Sequence, residues 1–192
     1  MADKSNVRLE TPQPRNLYFS SQVDQDSIGE LTESIIEING HDRKLEKMYA
    51  IYGIKYKAEP IKIYIDSYGG YVYQCFGLLS VMETSKTPIH TIVTGAAMSC
   101  GFMMLICGHK RFAYELSTPL YHQVGTGFSG KVKDMEEDLK ETKRLQKKLE
   151  DIVMKKTKIS RAKLKEIYNG KRDWFMDAEK ALKWGVVDKI IK

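Results

Sequence analysis

The sequence predicts an α/β protein, and three observations carry that prediction. Two short apolar runs of β character, residues 61–65 and 89–94, each lead into a glycine-containing turn and then a helix-compatible stretch. Strand, turn and helix in alternation is the rhythm of a sheet covered by helices. A composition of 42% apolar and 29% charged residues over 192 positions fits one globular domain and excludes a disordered or fibrous chain.

In chain order, residues 1–14 are polar and contain two prolines, which predicts a disordered arm ahead of a single domain over residues 15–192. Leu17, Tyr18 and Phe19 form a short strand candidate, and residues 26–38 carry helical spacing through Ile28, Leu31, Ile35 and Ile36. The mixed polar stretch 39–60 has no assignable period. After the strand at 61–65, residues 71–84 read as a helix. After the strand at 89–94, a turn from Gly95 to Gly101 opens an apolar helix that ends at Cys107, and a helix apolar on most sides belongs in the interior. Residues 119–124 look like a strand. Val132, Met135, Leu139, Leu145, Leu149, Ile152 and Val153 then recur at three- and four-residue spacing, which predicts the longest helix of the chain over 132–153. A short helix from Asp177, stopped by Gly185, and a last strand over 186–191 complete the pattern.

Charge and cysteine usage exclude several functions. The net charge of +6 is a C-terminal property: residues 1–130 hold 12 Lys/Arg against 13 Asp/Glu, and residues 131–192 hold 19 against 12. Residues 131–165 mix acids with bases and contain no aromatic ring, unlike a groove that stacks nucleic-acid bases. Cys75, Cys100 and Cys107 are odd in number and sit in apolar surroundings, which reads as a reduced, cytoplasmic chain and not a disulfide framework. The first fifteen residues hold no apolar signal core, and the least polar stretch, 95–107, falls well short of the ~20 residues of a membrane span. His41, His90 and His109 have no metal-ligand spacing, so neither a metal nor another cofactor is expected.

Three residues could carry chemistry. Ser99 lies between a strand and an apolar helix, where backbone N–H groups point outward and favour negative charge; read alone, it is also an ordinary small residue opening a buried helix. His122 stands at the end of a strand-like segment, where a histidine is commonly a structural donor. Asp173 follows Gly170 in a loop, a usual place for a turn or cap residue. The segment Ala97-Met98-Ser99-Cys100-Gly101 lacks the first glycine of a G-x-S-x-G elbow, which argues against an α/β-hydrolase.

Taken together, Ser67-Tyr68-Gly69-Gly70, the run from Gly95 to Gly101, Tyr121-His122-Gln123 and the run from Arg172 to Ala178 occur in the order found in the ClpP family of proteolytic subunits, which the chain resembles from about Asn16 to Ile191. The resemblance implies a ClpP/crotonase-like spiral fold with a protruding handle, here residues 124–156, formed by the long helix and a strand around 125–128. It implies that Ser99 is the nucleophile, His122 the general base and Asp173 the residue that orients it. The backbone N–H groups of Gly70 and Cys100 would then form the oxyanion hole. The activity implied is serine-type endopeptidase cleavage of peptides and unfolded proteins through an acyl-enzyme, without a cofactor, nucleic acid or membrane. The assembly implied is a homo-oligomer of two stacked heptameric rings, with a Clp-type AAA+ ATPase as a further partner.

This chain departs from the family pattern at Tyr68, where proline is usual, at Met98, where a small residue is usual, and at Val124, again in place of proline. The segment before Arg15 is shorter than the family stretch that contacts the ATPase, and residues 39–60 are longer than the usual connection. Two alternatives stay open: a catalytically inactive ring subunit that scaffolds an active paralogue, and a crotonase-type acyl-CoA enzyme that would use the oxyanion N–H groups without the three side chains.

Overall fold

A computed structural model describes residues 14–192. The expected N-terminal arm, apart from Pro14, lies outside the described residues. Among the described residues seven strands form one largely parallel sheet, and six helices pack around it.

The strand β1 (Asn16–Phe19) pairs in parallel with β2 (Ile61–Ser67), and the chain between them is occupied by α1 (Gln25–Ile51). Asp24 caps α1: its side chain accepts from Ser27 N at 3.0 Å, and Ser27 Oγ accepts from Asp24 N at 3.2 Å, so two orphan amides are satisfied reciprocally. Ile28, Leu31, Ile35 and Ile38 are buried on one stripe, each worth ~1.5–3 kcal/mol relative to exposure. Asp42 continues the stripe one turn on. It is buried, bound by both terminal nitrogens of Arg15 at 2.9 and 2.5 Å, and accepts from Tyr56 Oη at 2.7 Å and Thr87 Oγ1 at 2.6 Å. Asn39 Oδ1, one helical turn back, accepts from the backbone N–H groups of Lys86 and Thr87 at 3.0 and 3.2 Å. These polar ties carry the helix through a stretch without apolar period, so α1, with 27 residues, is longer than the helix at 132–156, with 25. The expectation that the latter would be the longest is thereby corrected.

Helix α2 (Val72–Thr84) follows, then β3 (Ile89–Met98) and α3 (Cys100–Ile106). The second glycine-containing turn is not where the sequence pattern puts it, because β3 runs through Gly95 to Met98 and only Ser99 turns the chain. Asp66 is the reason: it sits at an irregularity between β2 and β3, and its Oδ1 accepts from Ala96 N at 2.8 Å. A side chain at Gly95 would meet that carboxylate oxygen at 2.7 Å. The first half of β3 pairs with β4 (Lys110–Tyr114), and the second half with β5 (Thr118–Tyr121), both in parallel. Every residue of α3 is buried, against β2, β3 and β5 on one side and beneath its helical neighbours on the other.

Residues 122–129 have no regular structure, and the strand expected at 125–128 is not formed: the segment is broken by Gly125 and Gly127 and has no strand partner among the described residues. The helix α4 (Val132–Lys156) buries only Leu145, Gln146, Leu149 and Val153, all in its second half, while Val132 and Leu139 remain exposed. The sequence pattern does not assign α5 (Arg161–Gly170), although Ser160 caps it through Lys163 N at 3.2 Å and Leu164 and Ile167 are buried. Two-residue β6 (Trp174–Phe175), which the sequence pattern does not assign either, pairs antiparallel with β5. The chain closes with α6 (Ala178–Lys183) and β7 (Lys189–Ile191), shorter than the strand expected over 186–191, which pairs with β4. Among the described residues no helix is long and apolar enough to cross a membrane, and no group of three or more His, Cys, Asp or Glu side chains could hold a metal ion.

Candidate active site

Three elements meet at Ser99. It leaves the end of β3 with φ +55° and ψ −119°, one of two non-glycine residues with positive φ among those described. Such a conformation costs ~1–3 kcal/mol and persists only where neighbours enforce it. Here Ser99 N donates to Leu120 O at 3.0 Å, and Ser99 O accepts from Met103 N at 3.2 Å, so β5 and α3 hold the turn from both sides. The consequence is a half-buried hydroxyl displayed between a strand and a helix, as in a nucleophile elbow reached without its first glycine.

The turn after β2 presses against this serine. Gly69 has φ +99°, and a Cβ there would lie 2.7 Å from both Met98 O and Ser99 Cβ. The turn is clamped to the segment before α1: Val23 N donates to Gly69 O at 2.8 Å, Tyr71 N donates to Val23 O at 2.8 Å, and Ser67 Oγ reaches Ser21 O at 2.5 Å. Among the described residues the N–H groups of Gly70 and Cys100 donate to no protein acceptor. Two free donors beside one hydroxyl are what a developing oxyanion requires. Cys100 Sγ itself donates to Gly70 O at 3.3 Å, which ties the two donor residues together. The Cys75 thiol beneath them is held well above the usual thiol value, by its hydrogen bond with Cys100 and by burial, and so stays neutral.

Ser99, Gly70, Cys100 and His122 line one cleft of about 290 Å³, whose walls include Val72, Met103 and Leu149 and whose rim carries Tyr68. Thus four of the five residues singled out by sequence come together. Asp173 does not line the cleft. It precedes β6, whose pairing of Trp174 with Tyr121 brings it alongside His122, and its Oδ1 lies 4.0 Å from His122 Nδ1. That separation exceeds a hydrogen bond. The two side chains are 31% and 62% exposed, so water reaches both. Among the described residues no hydrogen bond joins Ser99 Oγ to His122.

One residue of the site was not legible as such. Gln146, on α4, is buried against the cleft. Its Oε1 accepts from Val124 N at 2.8 Å, and its Nε2 donates to Tyr121 Oη at 3.3 Å and to Glu150 Oε1 at 2.7 Å. A reading of apolar spacing assigns a polar residue on a helix to water, and only its placement between Leu145 and Leu149 hints otherwise. A second cavity, of about 530 Å³, surrounds Asp42 at the other end of α1 and α2 and holds no comparable pair of nucleophile and base.

Comparison with known proteins gives this arrangement relatives. The family model described as Clp protease matches residues 42–192, a span that contains all five candidate residues. The chain is 38% identical over 135 residues to the ATP-dependent Clp protease proteolytic subunit of Deinococcus radiodurans, covering 69% of this chain and 65% of that protein. It is 32% identical over 137 residues to the ATP-dependent Clp protease proteolytic subunit 2 of Treponema pallidum, covering 70% of this chain and 68% of that protein. The chain thus spans about two thirds of the length of these relatives. With a family model matched over most of its length and relatives at 38% and 32% identity, the chain belongs to the Clp protease family.

Proposed function

We propose that the chain is a serine endopeptidase subunit of a ring-shaped, self-compartmentalising protease that cuts peptides and unfolded proteins. The observation that carries this reading is the convergence in one cleft of a strained Ser99, His122 and the unengaged N–H groups of Gly70 and Cys100. In the reaction, Ser99 Oγ attacks the scissile carbonyl carbon as His122 takes its proton. The carbonyl oxygen becomes an oxyanion between the two N–H groups, each worth ~3–4 kcal/mol to the transition state. Collapse of the intermediate breaks the C–N bond, and His122 returns the proton to the leaving amine. The acyl-enzyme is then hydrolysed by water with His122 again as base. Asp173 orients the imidazole once the 4.0 Å gap closes, and catalytic hydrogen bonds are commonly long in an empty site. The apolar walls supplied by Val72, Met103 and Leu149 suit an apolar side chain next to the cleaved bond.

The exposed apolar residues of α4, Val132 and Leu139, support the handle and stacked-ring reading, because a projecting half-helix with an uncovered apolar stripe needs a surface to cover it. Docking of a Clp-type AAA+ ATPase and a cytoplasmic location belong to the same proposal. The 4.0 Å separation also supports a second reading, a ring subunit that is inactive alone and scaffolds an active paralogue.

Intact-mass detection of a fluorophosphonate adduct on the isolated oligomer separates them. One adduct per subunit, lost in Ser99→Ala, is the expected outcome. A well-folded ring that takes no adduct sinks the peptidase reading and leaves the scaffold, which hydrolysis by a mixture with an active paralogue then tests.

A further inference from the structure

Between Tyr121 and Gly125 the chain leaves its last strand contact and enters eight residues without regular structure, and His122 lies on that stretch. An imidazole is aimed by its backbone, so something other than the sheet has to fix it. Two hydrogen bonds bracket His122, one on the Tyr121 hydroxyl and one on the Val124 N–H, and both come from Gln146.

Gln146 is 8% exposed, on the apolar face of α4 between Leu145 and Leu149. A buried amide is costly unless each of its groups is paired. Here the oxygen accepts from Val124, and the amide nitrogen donates to Tyr121 and to Glu150, so each polar group of the side chain is paired. Tyr121 is in turn buried, with its ring 5.7 Å from that of Phe102 on α3, the helix that begins beside Ser99. Burial raises its hydroxyl to about 12, so it stays protonated and available to the amide across the working range.

We infer that Gln146 is a positioning residue: it couples α4 to the segment 121–124 and thereby sets where the His122 imidazole stands relative to Ser99. This rests on the reading of Ser99 and His122 as nucleophile and base. A displacement of ~1 Å in such a pair costs about a hundredfold in rate.

The test uses the full chain and two variants. Gln146→Met keeps the length of the side chain and removes all three hydrogen bonds. Gln146→Glu combined with Glu150→Gln keeps the first and reverses the other two: the new carboxylate accepts from Val124 N–H, from the Tyr121 hydroxyl and from the new amide at 150. Amide hydrogen exchange is read peptide by peptide, and the rate of fluorophosphonate labelling of Ser99 is followed against reagent concentration. In Gln146→Met, exchange over residues 122–126 is expected to rise at least tenfold with the sheet unchanged, and the maximal labelling rate to fall ~10–100-fold at an unchanged half-saturating concentration. The double variant is expected to recover both. Parent-like exchange and labelling in Gln146→Met would overturn the inference, and so would faster exchange spread evenly over the chain that the double variant does not rescue. If the parent itself is not labelled, the peptidase reading fails, and the exchange arm still decides whether Gln146 holds the His122 segment.

Discussion

A serine with φ +55° is held by its neighbours, and Gly69 is the glycine packed directly against it. An alanine at 69 brings strain of ~1–3 kcal/mol from φ alone. It also places a methyl group against the backbone of Met98 and the side chain of Ser99. Gly69→Ala is therefore expected to lower the denaturant midpoint and to reduce Ser99 labelling at least tenfold; wild-type labelling in this variant would mean that the turn does not support the serine. Asp42 makes a different demand. Burial pushes its carboxyl up, but hydrogen bonds from Arg15, Thr87 and Tyr56 together bring it down to about 2, from an ordinary 3.8. Since the folded value lies below the unfolded one, the stabilisation is complete above about pH 4 and is lost as pH falls towards 2. It amounts to about 2 kcal/mol. Unfolding free energies of the parent and Asp42→Asn, measured between pH 6 and 2, should converge by that amount over this window, and parallel curves would contradict the assignment.

Among the elements, α1 and α4 are long for opposite reasons. The second half of α1 is tied down by polar groups: Arg15 on Asp42, and Asn39 on the chain after α2. Before Glu141, which accepts from Tyr73 Oη at 2.5 Å, α4 has no such ties among the described residues. It projects with Val132 and Leu139 exposed, and it is fed by residues 122–130, which contain Gly125, Gly127 and Gly130. Proteases choose exposed segments of low local stability. Within residues 14–192 of unassembled protein, trypsin should cut first after Lys131 or Lys133, as read by mass spectrometry of the first fragments, and assembly should protect those bonds. First cuts elsewhere would place the weakest element outside the proposed handle.

At the scale of the whole molecule, the apolar surface left open is the main argument for assembly. Leu116 is 93% exposed, Ile51 80% and Val132 68%, on parts of the surface that nothing among the described residues covers. If α4 joins two rings, replacing both Val132 and Leu139 with glutamate should halve the sedimenting mass while leaving the circular dichroism of the subunit unchanged. A parent that stays monomeric at high concentration would remove the ring reading altogether, and an undiminished particle in the variant would remove α4 from the contact between rings.

The sequence by itself determined the α/β class, the apolar strands β2 and β3, the buried α3 and the amphipathic α4, because each rests on a local period of apolar residues that any folded state has to bury. It also determined the family, through short motifs whose order survives without knowledge of their contacts. Tertiary structure decided what has no local period. Residues 39–51 are helical because Asp42 finds Arg15, 27 residues away, and Asn39 finds Thr87. β3 continues through Gly95 because Asp66 on the next strand binds Ala96. The segment 125–128 stays irregular because no strand lies beside it among the described residues. Within the site, Ser99 and His122 were visible as residue types in familiar surroundings, whereas Gln146 was not, since its amide acquires a role only when α4 packs against β5 and the chain that follows it. Apolar burial is written along the chain, but the pairing of polar groups is settled between elements, where distance in sequence carries no information.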